Sequence, residues 1–230
     1  MSSPVVESYS NGNTSVASTS HTVTFPSGLT AGDLMVCFFC RNSSNTITDP
    51  AGWTELDSTG HTGGGFHNYA GWKIADAGDV SAGSDTWTTL GSVEASFSVF
   101  RISGHSTGQD PELTKFVSTS NSTTSNCPAI TPTGGSKDYL VLCFEGRDTG
   151  NTTFTGWPLP DNNLDEGGPT TGTSVSIAHC SDELTFTTTD PGGFTNDLAR
   201  PYINYTVAVH PGAAAAVPIV RRKHIGFSYG

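Results

Sequence analysis

The sequence is short of charge, of helical patterns and of long apolar runs. Only 13% of its 230 residues are Asp, Glu, Lys or Arg, whereas Gly (27) and Pro (13) are frequent. No stretch repeats apolar residues at a helical spacing behind a capping residue, and no apolar run approaches the roughly 20 residues that a membrane-spanning helix needs. The composition therefore predicts a soluble, folded, β-rich protein without a membrane partner, and it argues against an all-α fold.

Familiar catalytic and cofactor motifs are missing as well. The chain has no GxSxG, HExxH or SxxK pattern and no glycine-rich phosphate loop. Its seven His are scattered rather than paired. We therefore expect no enzymatic activity, no catalytic residue and no cofactor. A hydrolase on the same scaffold stays open only if two of the carboxylates Glu55, Glu94 and Glu145 converge on one cleft.

One acidic loop carries hard oxygen ligands of the kind that Ca²⁺ accepts. Asp161, Asp165 and Glu166 lie close together in the sequence and are followed by glycines. The segment lacks the central glycine and the distal Glu of an EF-hand, so an ordinary Asx-turn loop is the favoured interpretation. We assign no metal here and keep the three residues as a weak Ca²⁺ candidate.

Features of an exported protein are absent too. Met1–Asn11 has no basic region and no apolar stretch before a cleavage site, so a secretory signal is not expected.

The chain has five Cys, an odd number. Four of them lie within or beside apolar runs, where reduced thiols behave as small apolar groups: Cys37, Cys40, Cys143 and Cys180. Cys37 and Cys40 would point to opposite faces of a strand, which argues against a CxxC metal clip. Synthesis in the host cytoplasm with free thiols is predicted.

The acidic and basic residues are unevenly distributed along the sequence. The formal net charge is −11, and through Val220 seven basic residues oppose all 21 acidic ones, a net charge of −14. An acidic body disfavours direct binding of nucleic acid. The last ten residues carry the three remaining basic residues and no acidic one. This pattern predicts docking onto an acidic surface, such as a neighbouring copy of the protein.

Residues 212–230 are predicted to form a basic and apolar C-terminal arm. Apolar side chains alternate there with the basic run, and they would be costly to leave in water. Such an arm would insert its apolar residues into a groove of a neighbour, while its charges set orientation and salt dependence. The predicted contact residues of the arm are Val217, Ile219, Arg221, Arg222, Lys223, Ile225, Phe227 and Tyr229.

The most informative pattern is an internal echo at a separation of about 105 residues. Two matches are fairly specific and two are weak. The matched pairs are Asp33–Phe38 with Asp138–Phe144, Gly52–Trp53 with Gly156–Trp157, Tyr69–Asp76 with Val175–Asp182, and Phe97–Gly104 with Ile203–Gly212.

The echo predicts an all-β fold: an antiparallel β-sandwich of jelly-roll type built from two echoing halves, with extended terminal arms. The halves, about 15–105 and 127–211, each supply four or five strands whose apolar faces cannot be covered alone. We therefore expect one sandwich over residues 1–211. Two small tandem sandwiches stay open as an alternative, with Val117–Asn126 as the linker.

Four aromatic residues have to be divided between core and surface. Trp53 and Trp157 each follow a Gly at echoing positions, which favours paired core roles over exposed platforms for stacking sugars. Tyr69 and Trp72 point to opposite faces of one predicted strand, so at least one should leave the main core. Both are therefore candidates for contact with another subunit or a ligand.

The first half of the chain carries a recognisable order of turn and core motifs. These are Pro26–Gly28, Ala31–Val36, Pro50–Thr54, Tyr69–Asp76 and Ile102–Gly104. In this order the chain resembles a β-sandwich family that is common among tailed-bacteriophage virion proteins. The resemblance implies a non-enzymatic structural or host-contact role, and it does not distinguish head from tail.

Together these observations predict a virion structural protein, most specifically a capsid decoration or cement protein. Its expected partners are other virion proteins, either the major capsid protein or a tail protein, and a homo-oligomer is expected. A tail fibre or receptor-binding component that recognises a host glycan is the first alternative. A carbohydrate-binding module is the second.

Overall fold

The computed structural model describes residues 3–63, 65–149, 152–159 and 174–213, and strands make up most of them. In chain order the elements are β1 (Val5–Thr24), β2 (Leu34–Arg41), β3 (Ile47–Thr48), β4 (Thr54–His61), β5 (Phe66–Ile74), α1 (Ala77–Ala82), β6 (Ser84–Ser103), β7 (Glu112–Val117), β8 (Ser122–Thr124), β9 (Lys137–Arg147), β10 (Phe154–Gly156), β11 (Ser176–Phe186), β12 (Thr195–Arg200) and β13 (Tyr202–Val209).

The strands form two large antiparallel sheets and one small one. The first large sheet has the order β1-β6-β2-β5-β4, with β3 paired to β6, and the second has the order β11-β9-β13-β7. A three-stranded sheet has the order β10-β12-β8. The predicted all-β antiparallel sandwich is confirmed. The jelly-roll type is not confirmed, because each large sheet is drawn from one half of the chain.

The internal echo corresponds to a repeated arrangement of strands. Four strands of the first sheet run β1-β6-β2-β5, and the second sheet repeats that order as β7-β13-β9-β11. The echoing strands β2 and β9 therefore occupy the same inner position in their sheets. Likewise, β5 corresponds to β11, and β6 corresponds to β13.

The two large sheets pack face to face over one shared core. Leu34, Val36 and Phe38 of β2 belong to the same buried cluster as Leu140, Leu142 and Phe144 of β9, and each residue lies 106 positions from its counterpart. Alternate residues of a strand point to one face, so these triplets line the facing surfaces. The rings of Phe38 and Phe144 stack with centroids 4.5 Å apart and planes 8° apart.

The outer face of each large sheet is covered as well. On the first sheet, Met35, Cys37 and Phe39 pack under Val23 and Trp87, which come from the far ends of β1 and β6. On the second sheet, Val141, Cys143 and Cys180 pack under Phe154 and Phe194, beside the small sheet. Because both faces are buried, β2 and β9 are continuous apolar runs rather than alternating ones.

The two tryptophans of the echo have different environments. Trp53 is 8% exposed within the outer core of the first sheet, as expected, and its Nε1 donates to Asp85. Trp157 is 37% exposed, so its predicted core role is wrong. It contacts Phe154 and Phe194 from the rim of the outer layer, where one side of the indole still meets water.

One short helix appears in the described residues where the sequence predicted none. In α1, Asp76 caps the backbone of Asp79, and Asp79 caps the backbone of Asp76 in return. This reciprocal capping box satisfies donors that a single helical turn would otherwise leave unpaired. The helix is not long and apolar enough to cross a membrane.

We predict that truncating either ring of the stacked pair Phe38–Phe144 lowers the free energy of unfolding more than any other single truncation. Phe38→Ala and Phe144→Ala should each lower the free energy of unfolding by about 3–5 kcal/mol, because each leaves a cavity in the shared core. The double variant should lose about 0.5–1.5 kcal/mol less than the sum, the usual strength of an aromatic pair. Urea titrations measure both. Leu198→Ala, at a 36% exposed position, is the control, and a cost below about 1 kcal/mol for either Phe variant would contradict the shared core.

Candidate functional site

A pocket opens at one end of the sandwich, between the ends of strands from both large sheets. Its volume is about 230 Å³. Leu34 at the start of β2, Trp72 and Ile74 at the end of β5, and Val209 at the end of β13 give it an apolar wall. The loop between β6 and β7 completes it with Ser106, Thr107, Gln109, Asp110, Pro111 and His105. Size and apolar lining suit a small ligand or one side chain of a partner.

The rim of the pocket is held by the turn before β2. Asp33 accepts hydrogen bonds from the backbone N–H and hydroxyl of Thr30, both at 2.8 Å, and from Nε of Arg101 at 2.6 Å. The N–H of Gly32, which lines the pocket, donates to the carbonyl of Ala75 just beyond β5. These bonds fix the ends of β2 and β5 relative to each other.

Two aromatic nitrogen heterocycles contribute polar groups to this end. Nε1 of Trp72 is buried and has no hydrogen-bond partner among the described residues. Burial lowers the pKa of His105, so its imidazole is neutral near pH 7. Both rings line the pocket, and neither carries a charge at neutral pH.

The outer side of β1 is a second feature with functional potential. In the part of the chain that the structure describes, β1 pairs with β6 along one side only. Its 20 residues include no Lys, Arg or Pro. The segment Ser8–Thr14 keeps an unbroken register with β6, and bulges lie on either side of it. Further along, Val16 is 77% exposed.

The structure separates the two aromatic residues that the sequence proposed for partner contact. Tyr69 is fully buried, its hydroxyl donates to Asp49, and its ring meets Trp87 edge to face at 4.8 Å. The expectation of a surface role for Tyr69 is corrected, because the folded-back ends of β1 and β6 cover that face of the sheet. Trp72, on the other face, lines the pocket and remains the candidate.

The other predicted site residues lie outside the described residues. These are the weak Ca²⁺ candidates Asp161, Asp165 and Glu166, and the arm residues Val217, Ile219, Arg221, Arg222, Lys223, Ile225, Phe227 and Tyr229. The described chain reaches Ala213, and the N–H of Gly212 donates to the carbonyl of Gly104 beside the pocket.

The thiols are buried inside the sandwich. Cys37 and Cys40 lie in different cores on opposite faces of β2, as the sequence predicted. Cys143 and Cys180 face each other across β9 and β11, and all five Cys are free. Burial raises the pKa of Cys127 and Cys143, so these groups stay as neutral thiols rather than nucleophilic thiolates.

The sequence did not predict the buried ion pair between Glu145 and Arg147. Glu145 and Arg147 are both fully buried, and Nε of Arg147 donates to Oε1 of Glu145. Burial raises the pKa of Glu145, and the guanidinium opposes that rise. The available signal was an acid and a base two residues apart at the end of an apolar run, which places both side chains on one face of a strand. Glu145 is thus committed to a structural pair.

No family model, curated protein or solved structure matches the chain.

The bonds around Asp33 predict a pH-dependent share of stability. Partial burial by itself would raise the pKa of Asp33, but the hydrogen bonds from Arg101 and Thr30 outweigh it and hold the pKa below its usual value. A lowered folded-state pKa stabilises the fold above the unfolded value near 4, and this contribution is lost as the pH falls through the folded value. Asp33→Asn should cost about 1–3 kcal/mol at pH 7.

The difference in unfolding free energy between wild type and Asp33→Asn should shrink as the pH is lowered from about 5 to 2. Urea titrations at each pH measure it, and Asp110→Asn, at an exposed position on the same rim, is the control. A difference that stays constant over that range would contradict the assignment.

Proposed function

We propose that the protein is a non-enzymatic structural component of a tailed-phage virion, most specifically a capsid decoration protein. The observation that carries the proposal is the side of β1 with which no strand of the described residues pairs. The motif order in the first half of the chain, which resembles a family of virion β-sandwiches, supports the same assignment.

An open strand edge of this composition favours pairing with another chain. Edge strands that must stay unpaired are usually guarded by Lys, by Pro, by bulges or by a covering loop. β1 has bulges but no Lys, Arg or Pro, and the segment Ser8–Thr14 between them is regular. Its Ser, Asn and Gly residues keep it compatible with water while the backbone supplies the hydrogen bonds of an added strand.

A lattice of identical subunits is a suitable partner for such an edge. Backbone pairing needs no special side chain, so one edge can engage the major capsid protein or a second copy of this protein. The predicted arm at 212–230 would add a second, charge-dependent contact. The described chain reaches residue 213 beside the pocket, at the end of the sandwich where β5 and β13 end.

The edge proposal predicts that lysines on β1 block assembly without harming the fold. Asn11 and Asn13 are exposed, so Asn11→Lys with Asn13→Lys should leave the unfolding free energy within about 0.5 kcal/mol of wild type. The copy number per virion should fall at least severalfold, because two added charges disfavour an incoming strand. Cryo-electron microscopy and quantitative mass spectrometry of purified virions measure occupancy and position.

Ser81→Lys with Ala82→Lys, at exposed positions of α1, adds the same charge away from the edge and should assemble normally. Full occupancy of the β1 variant would reject the edge as the contact. Absence of density for this protein from the capsid would reject the decoration assignment.

The pocket favours a second candidate function, recognition of a host glycan by a tail component or a carbohydrate-binding module. A tryptophan beside polar loop residues is a common way to hold a sugar, which has an apolar face and hydroxyl groups. Trp72 and the loop carrying Gln109 and Asp110 meet this description.

Glycan binding through the pocket predicts a selective loss on removal of one indole. Trp72→Ala should abolish binding on a glycan array, because the apolar wall would be lost. Trp157→Ala removes a partly exposed indole from the outer layer of the other sheet and should leave binding unchanged. Binding that survives Trp72→Ala would exclude the pocket as the glycan site.

A further inference from the structure

The described part of the chain ends against the loop that forms the pocket. The N–H of Gly212 donates to the carbonyl of Gly104 at 2.7 Å, and Pro211 pairs with His105, which lines the pocket. A Cβ on Gly212 would lie 3.0 Å from the carbonyl oxygens of both Gly104 and His105, so the two backbones are in close contact. The residues that follow Ala213 therefore start beside the pocket.

An apolar segment comes shortly after this point in the sequence. Residues 217–220 are Val, Pro, Ile and Val, and the basic run 221–223 follows them directly. An extended chain covers about 3.3–3.6 Å per residue, so residue 217 lies at most about 14 Å from Ala213. The four apolar residues are thus tethered close to the pocket of their own chain.

The pocket has the size and polarity of a site for aliphatic side chains. Its volume of about 230 Å³ is below the roughly 300–1,000 Å³ of pockets that hold drug-sized ligands. Apolar side chains gain free energy when they leave water for such a wall. The uncharged residues that form the wall are Leu34, Trp72, Ile74 and Val209.

The other segments outside the described ranges are less suitable occupants. The internal ones are 64, 150–151 and 160–173. The first precedes β5 and the second follows β9, both at the opposite end of the sandwich from the pocket. Ser174, which follows the third, donates to Glu94 at that same opposite end. The two residues before Ser3 include one apolar side chain, whereas 217–220 supplies four apolar residues in a row.

We propose that residues 217–220 bind in the pocket of their own chain, with their aliphatic side chains against Trp72 and Ile74. Tethering favours the same chain over a second copy, because a short linker gives an effective concentration of the order of millimolar. The basic run 221–223 then follows at the rim, where Asp110 is exposed. This inference does not depend on the virion assignment. A glycan would have to displace the segment, so the two occupants of the pocket are alternatives.

Disulfide trapping in the full-length protein tests the docking. Thr107 is exposed on the pocket loop, whereas Leu198 is exposed at the other end of the sandwich, where its carbonyl accepts from Arg147. Arg221→Cys is combined with either Thr107→Cys or Leu198→Cys, and mass spectrometry quantifies the linked peptides that form in oxidised glutathione. The Thr107 pair should cross-link at least about tenfold faster. The native thiols do not compete, since all five are buried.

Removal of the apolar side chains separates docking from tethering alone. Val217→Asp, Ile219→Asp and Val220→Asp leave the length of the tether unchanged but make burial in an apolar pocket costly. In that background the Thr107 pair should lose its advantage over the Leu198 pair. An advantage that persists there, or equal rates for the two pairs with the native segment, would overturn the proposal.

An equal mixture of isotope-labelled and unlabelled protein identifies the chain that supplies the segment. When the segment binds in its own chain, the two halves of each linked peptide should carry the same label. Mixed labels in about half of the linked peptides would assign the pocket to the segment of a second copy, and would overturn docking within one chain.

Urea titrations measure the docking without engineered thiols. The triple Asp variant should raise the unfolding equilibrium constant at least about tenfold, because its aliphatic side chains lose their burial. The matched variant Arg221→Gln, Arg222→Gln, Lys223→Gln should change that constant less than about threefold, because exposed charges contribute little. A triple Asp variant as stable as wild type would reject the docking, as would equal losses of stability in the two variants.

Discussion

The fold depends on the need of each large sheet to cover an inner face that its own half of the chain cannot cover. Phe38 and Phe144 meet where these two faces come together. Hydrogen bonds reinforce the contact: the single proton of the Tyr205 hydroxyl is shared between Asp57 and the backbone carbonyl of Asn68, and the Asn68 side chain donates to the Ile203 carbonyl. Gly146 lets the two sheets approach closely there: a Cβ would lie 2.3 Å from the side-chain oxygen of Asn68, so the Asn68 side chain would have to move. The sandwich is thus specified by shape as well as by apolar area.

The outer faces of the two large sheets are covered by different kinds of segment. The candidate functional features follow from that difference. The first sheet is covered by the folded-back ends of its own long strands β1 and β6, while a separate small sheet covers the second. Among the strands that the structure describes, the first arrangement leaves β1 as a long edge. The second brings the carbonyls of β8 and β12 to Arg147, whereas no described residue accepts a hydrogen bond from the Arg41 side chain.

Much of this organisation was readable in the sequence because it depends on residue type and periodicity. The abundance of turn residues and the apolar runs predicted an all-β sandwich, and the echo of Asp33–Phe38 in Asp138–Phe144 predicted that two similar halves pack together. The opposite orientation of Cys37 and Cys40 followed from the geometry of any strand. Of the candidate site, the sequence supplied Trp72 but not the pocket that surrounds it.

What the sequence determined by itself is the class of fold, the pairing of its halves and the alternation of side chains along each strand, since these follow from local geometry and apolar content. Only the tertiary structure decided which segments cover the outer face of each large sheet. It buried Tyr69 and left Trp157 at the rim, and it paired Arg147 with carbonyls distant in the chain, whereas Arg41 has no hydrogen-bond partner among the described residues. Those outcomes depend on contacts between segments far apart in sequence, where small differences in layer geometry decide whether a side chain meets water, an apolar group or a charge.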